Sequence, residues 1–107
     1  MTQNILFICS KNQWRSPTAE TVFGRDPRVC VRSAGVSRRA KKTVSFKDIE
    51  WADLIFVMEN KHRQRLQADF NSLLVHKKLI VLNIPDDYEY MDAELVALLE
   101  DGVEQYL

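Results

Sequence analysis

A chain of 107 residues can bury one hydrophobic core but not two, so residues 1–107 read as a single domain. Apolar residues make up 46% and charged residues 28%, with 15 basic against 15 acidic side chains; this is the balance of a soluble globular protein, and no net charge recruits nucleic acid or a membrane surface. Residues 1–8 show no basic start, long apolar run or cleavage site, and no stretch has the length of a membrane-spanning helix, so a cytoplasmic protein with Cys9 and Cys30 as free thiols is expected.

The predicted elements alternate. "NILFIC" (4–9) is an apolar run of strand formers and reads as a buried strand. "SPTAETVFG" (16–24) reads as a helix, with Ser16 as N-cap, Pro17 in the first helical position, and Gly24 as the stop before Pro27. Ala19, Val22 and Phe23 give that helix one apolar face. "VCVRSAG" (29–35) is a second strand ended by Gly35, and Cys30, between Val29 and Val31, reads as core. "SRRAKK" (37–42) is a solvated loop with enough positive charge to attract an anionic substrate. Trp51 packs the approach to a third strand, "DLIFVM" (53–58). Residues 60–70 form a charged helix with Leu66 and Phe70 on one side. His62 and His76 lie in charged surroundings as surface residues without metal-ligand spacing, so neither a metal nor another cofactor is expected. "KLIVLNI" (78–84) is a fourth strand, and Leu95, Leu98, Leu99 and Val103 recur at helical spacing after Met91. Strands alternating with helices predict an α/β layered fold around a parallel sheet.

In such a sheet, ligands bind beyond the carboxyl ends of the strands. Cys9 ends the first strand, the loop 10–15 follows, and a helix opens directly behind it. A curled loop and a helix's first turn offer unpaired N–H groups to an anion. A thiol in such a field, beside a cation, gives up its proton more readily, and the thiolate is the nucleophile. Arg15 is a planar fork able to hold two phosphate oxygens, and the Ser16 hydroxyl can donate to the sulfur. These parts suit attack by sulfur on phosphorus.

The stretch "ILFICSKNQWRSPTAE" resembles the N-terminal signature of the low-molecular-weight protein tyrosine phosphatases, a strand followed by C-x-G-N-x-C-R-S-P and a small-Ala-Glu helix start. "VRSAGV" (31–36), "ADLIFVMENKH" (52–62) and "LNIPDDY" (82–88) resemble later segments of the same family, in the same order. The resemblance implies a three-layer α/β sandwich with a four-stranded parallel sheet in the order 2-1-3-4. It implies a cysteine-dependent phosphomonoesterase working through phosphocysteine, with Cys9 as nucleophile, Arg15 as phosphate clamp and Asp86 as general acid and base. Ser10, Lys11, Asn12, Gln13, Trp14 and Ser16 would form the phosphate-binding loop, with Asn12 bracing it and Ser16 assisting the thiolate. Tyr88 would stand at the pocket mouth. Asp87 occupies the family's proline position, which leaves Asp86 and Asp87 both open as the acid, with Asp86 favoured.

The departures shape the expectation equally. Lys11 replaces a loop glycine, at a cost of about 1–2 kcal/mol if that position needs a left-handed backbone. Trp14 replaces the second loop cysteine and either packs under the loop or forms a substrate wall. The segment from Ser33 to Asp53 is shorter than the family's and is expected to lack a helix and an aromatic wall, so a deep phenyl slot is open to question while phosphate capture is not. Substrates would be phosphorylated proteins or small phosphomonoesters, with no nucleic acid or membrane partner; the oligomeric state is open. Arsenate reduction by a thiol relay is not expected, since residues 59–79 contain no cysteine and Cys30 lies on another strand. A non-catalytic phosphate- or phosphoprotein-binding module is the alternative, favoured by Lys11, Trp14, Asp87 and the short middle. The trio Cys9, Arg15 and Asp86 argues for the enzyme.

Overall fold

The computed structural model describes residues 2–107. Strand β1 (Gln3–Cys9) is the centre of the architecture, and Ile5 through Cys9 are all buried. A strand covered on both faces shows no polar alternation, which is why "ILFIC" reads as a continuous apolar run. It pairs in parallel with β2 (Val29–Gly35) on one side and β3 (Leu54–Val57) on the other. Strand β4 (Lys78–Val81) pairs with β3, giving the all-parallel order β2-β1-β3-β4. The α/β sandwich and its sheet order are as expected.

The two-residue period of β1 divides the core. Ile5, Phe7 and Cys9 face the layer of helices α1 (Arg15–Phe23) and α4 (Ala93–Val103). Leu6 and Ile8 face α2 (Phe46–Trp51) and α3 (Asn60–Leu74). Phe7 stacks on Phe23 and Phe56, with ring centroids 5.7 and 5.4 Å away. In α4, Leu95, Leu99 and Val103 are buried at i, i+4 and i+8, while Leu98 faces outward. Among the described residues, no helix is long and apolar enough to cross a membrane.

Several expectations are corrected. Cys30 is exposed, not core. Strand β2 is an edge strand, and Val29 and Val31 fill its helix-covered face. The opposite face is covered only from Ala34 onward, so Cys30 lies on its open end. The middle segment does contain a helix, α2. The Ser45 amide and hydroxyl both donate to Asp48 Oδ2, at 3.0 and 3.3 Å, so the Ser45-to-Asp48 spacing in "SFKDIEW" is a helix-start signal. Helix α1 begins at Arg15 after Trp14 and has no side-chain cap; the Ser16 hydroxyl points inward instead. Helix α3 runs past Phe70, where the backbone bends (φ −135°, ψ 27°). Strand β4 stops at Val81 because Asn83 adopts a left-handed backbone (φ 58°). The chain nevertheless stays tied to β3, with Leu82 N–H donating to Val57 O and Ile84 N–H to Met58 O at 2.9 and 2.8 Å.

Candidate active site

Cys9, at the end of β1, is 3% exposed, and its Sγ lies 3.0 Å from Ser16 Oγ. Asn12 adopts the left-handed backbone (φ 53°) in the loop between them. Asn carries this conformation at lower cost than most residues. Lys11 does not adopt it, so the strain anticipated for that position is absent. Asn12 Nδ2 donates to Ser16 Oγ at 2.9 Å and to Ser33 Oγ at 3.0 Å. Ser33 in turn donates to Glu20 Oε1 at 2.5 Å. Ser16 accepts from Asn12, so its single proton has two acceptors in reach, the sulfur at 3.0 Å and Ala34 O at 3.4 Å. One buried chain of polar groups thus fixes the loop, the helix start and β2 around Cys9.

Gly35 explains how closely the loop can sit. A Cβ there would stand 2.6 Å from Ser10 O and 2.9 Å from Asn12 N. The loop backbone therefore occupies the space any other residue would need.

Arg15 is 2% exposed. Its Nη1 donates to Ile84 O at 2.8 Å and pairs with Glu59 Oε1 at 3.2 Å. Burial pushes the Glu59 carboxyl up, but the hydrogen bond from Lys61 and the charges of Arg15 and Lys61 outweigh it and hold it below its ordinary value. Glu59 therefore stays ionised beside the buried guanidinium, as an unmatched buried cation would require. Every fully buried polar side-chain atom among the described residues has a hydrogen-bond partner. Arg15 Nε and Nη2 have none, so that edge of the fork opens to the pocket. Asp86 Oδ1 stands 3.7 Å from Nε.

His62 overturns its surface assignment. It is completely buried. The Glu59 N–H donates to its Nδ1 at 3.0 Å, so Nε2 carries the proton and donates to Ser10 Oγ at 2.8 Å. Burial, and then the Arg15 charge, push its pKa from 6.5 down to about 4, which keeps the ring neutral in this donor–acceptor pattern. Since Ser10 accepts from His62, its hydroxyl proton is free for the pocket that Ser10 lines. The available signal was position. His62 is three residues beyond Glu59, where a side chain can reach back to a helix's N-cap amide. His76 is exposed as expected.

The pocket has a volume of about 120 Å³. Cys9, Ser10, Lys11, Gln13, Trp14 and Arg15 line it, and Asp86 joins them from the segment after β4. Trp14 is 38% exposed and stands as a wall rather than under the loop. Asp87 is exposed and does not line the pocket. Tyr88 packs against the α1–α4 side of the core instead of lining the mouth.

No family model and no curated protein sequence matches the chain. Solved structures do. The tyrosine phosphatase Wzb from Escherichia coli K30, in complex with phosphate, superposes with a TM-score of 0.78 at 23% identity, covering 99% of this chain and 96% of that one. The YwlE arginine phosphatase from Geobacillus stearothermophilus gives 0.74 at 22% identity, covering 97% of this chain and 92% of the other. A low-molecular-weight protein tyrosine phosphatase from Streptococcus pyogenes gives 0.78 at 18% identity, over 99% and 91% of the two chains. The chain has the fold of the low-molecular-weight protein tyrosine phosphatases.

Proposed function

We propose that this protein is a phosphomonoesterase that uses Cys9 as a covalent nucleophile. The observation that carries the reading is the convergence of Cys9, the open edge of Arg15 and Asp86 on one small pocket. The phosphoryl group enters with its oxygens on the loop amides and on Arg15 Nε and Nη2. Cys9 Sγ attacks phosphorus, and the bond to the leaving oxygen breaks as that oxygen takes a proton from Asp86. The Asp86 carboxylate then removes a proton from water, which attacks the phosphocysteine. The sulfur–phosphorus bond breaks, inorganic phosphate leaves, and the Ser16 hydroxyl supports the charge returning to sulfur. Asp86, not Asp87, has this role because only Asp86 lines the pocket.

The pocket's 120 Å³ is below the roughly 150 Å³ of a cavity that encloses benzene. It takes a phosphoryl group and leaves most of an aryl ring outside. Phosphotyrosine is then one acceptable substrate beside nonaromatic esters and the phosphoramidate phosphoarginine, whose leaving guanidine nitrogen would take the Asp86 proton in place of oxygen, in keeping with the tyrosine and arginine phosphatases of similar fold.

Purified protein incubated with a chromogenic aryl phosphate, beside Cys9→Ser and Asp86→Asn, tests the reading. Turnover is expected, undiminished by chelator because sulfur is the nucleophile and Arg15 meets the phosphate charge. Cys9→Ser abolishes it. Equal turnover by wild type and Cys9→Ser sinks the proposal, and tight phosphate binding without turnover replaces it with a binding module.

A further inference from the structure

A pocket that holds little beyond the phosphoryl group leaves discrimination between substrates to the surface around its mouth. Two grooves open there. One, of about 470 Å³, runs past Gln13, Trp14 and Tyr90 and carries one charge of each sign, Glu20 and Lys41. Several of its polar groups are already engaged: Ser33 donates to Glu20, and the Tyr90 hydroxyl lies 2.7 Å from Thr21 Oγ1. The other, of about 750 Å³, meets the Cys9 pocket at Ser10 and contains three charged side chains, all positive: Arg38, Lys61 and Arg65.

The second groove is built on the catalytic loop. Val36 N–H donates to Cys9 O at 3.0 Å, Ser37 N–H to Ser10 O at 2.9 Å, and Lys41 N–H to Lys11 O at 3.0 Å. The basic loop 37–42 therefore cannot move independently of the phosphate loop. The facing wall is one side of α3, where Lys61, Gln64, Arg65 and Ala68 follow helical spacing. Lys61 and Arg65 are partly matched by Glu59 and Asp69, at 3.1 and 2.9 Å. Arg38 belongs to no ion pair among the described residues.

We infer that this groove binds acidic side chains flanking the phosphorylated residue of a phosphoprotein. The inference rests on the phosphatase reading above and names its substrate class. Charge complementarity argues for it: a short acidic stretch meets Arg38, Lys61 and Arg65 while its phosphoryl group sits over Cys9. A polynucleotide fits less well. It is charged along its whole length and would also meet Asp86, which lines the Cys9 pocket.

The test uses two fluorescent phosphotyrosine peptides of equal length, one with glutamates around the phosphotyrosine and one with glutamines. Their binding to Cys9→Ser is measured, while wild type is assayed separately on an aryl phosphate. The acidic peptide should bind about five- to tenfold tighter at low salt, as a few exposed charge pairs allow, and the preference should collapse at high salt. Arg38→Glu with Arg65→Glu should abolish the preference and leave aryl phosphate turnover unchanged. Equal affinity for the two peptides, or a preference that survives the double substitution, overturns the inference. So does a single-stranded oligonucleotide that displaces the acidic peptide at equal concentration. Absence of aryl phosphate turnover together with acidic-peptide preference counts against the enzyme and for the groove.

Discussion

The two sides of the pocket are built differently. The loop side, from Cys9 to Ser16, is packed against Gly35 and braced by Asn12, Ser33 and His62, with Arg15 anchored to Ile84 and Glu59. The acid side is a surface segment: the Asp86 side chain is 56% exposed and makes a single 3.7 Å approach to Arg15. Groups that hold a phosphoryl group must be in place before it arrives, since preorganised donors need no rearrangement during the reaction. A group that first gives and then takes a proton has to reach the leaving oxygen and then water, and solvent exposure serves that exchange.

Substitutions on the two sides should therefore separate activity from stability. After the complete loss expected of Cys9→Ser, Asp86→Asn has the largest expected effect on turnover, a loss of about 10²–10⁴-fold. It should change unfolding free energy by no more than about 1 kcal/mol, because the Asp86 carboxylate is largely exposed and approaches Arg15 Nε only to 3.7 Å. Kinetics and denaturant melts on one preparation check both. Gly35→Ala should damage both properties. Its methyl group would press on Ser10 O and Asn12 N, costing about 1–3 kcal/mol of stability and up to about 10²-fold in kcat/KM through displacement of the loop. A Gly35→Ala protein with normal kinetics would mean that the loop is not held by this contact.

His62 gives the smallest and most specific effect. His62→Leu removes the hydrogen bond that orients Ser10, with an expected loss of roughly tenfold in kcat/KM. Ser10→Ala should cost about the same, and the double substitution little more, because the two act as one unit. A pH signature accompanies this. Folded His62 resists protonation until about pH 4, whereas the unfolded chain takes up the proton near 6.5. The unfolded state binds more protons in that window, so the contribution is fully present above pH 6.5 and is lost as pH falls toward 4. The full contribution is on the order of 3 kcal/mol. Melts from pH 7 to 4 should show a shallower decline in His62→Leu than in wild type, and parallel declines would contradict the buried neutral ring.

The sequence made the strand and loop chemistry readable because those elements carry strong local signals. The unbroken apolar run of β1 and the i, i+4 leucines of α4 specify their elements locally, and the Cys9-to-Arg15 spacing gains its meaning from the strand end before it and the Ser-Pro helix start after it. The exposure of Cys30 is not legible in the sequence because the alternation around it is the same for a covered strand and an edge strand; only the reach of α2 decides which face is open. His62 looks like a surface residue in the sequence because its neighbours there, Lys61 and Arg63, are charged, while its neighbours in space are Ser10 and the Glu59 amide. The contrast between Lys11 and Asn12 is similar. Which loop residue takes the left-handed backbone depends on where Asn12 finds Ser16 and Ser33, and Ser33 is supplied by another strand.

The central claim is that sulfur carries the phosphoryl group. The most direct measurement is mass spectrometry of protein quenched in acid during turnover of an aryl phosphate, with the peptide containing Cys9 isolated. The account predicts one phosphoryl group on Cys9, accumulating further in Asp86→Asn if hydrolysis of the intermediate slows more than its formation, and absent from Cys9 when phosphate ester is withheld. Steady turnover with Cys9 unmodified at every quench time, in wild type and Asp86→Asn alike, would contradict it.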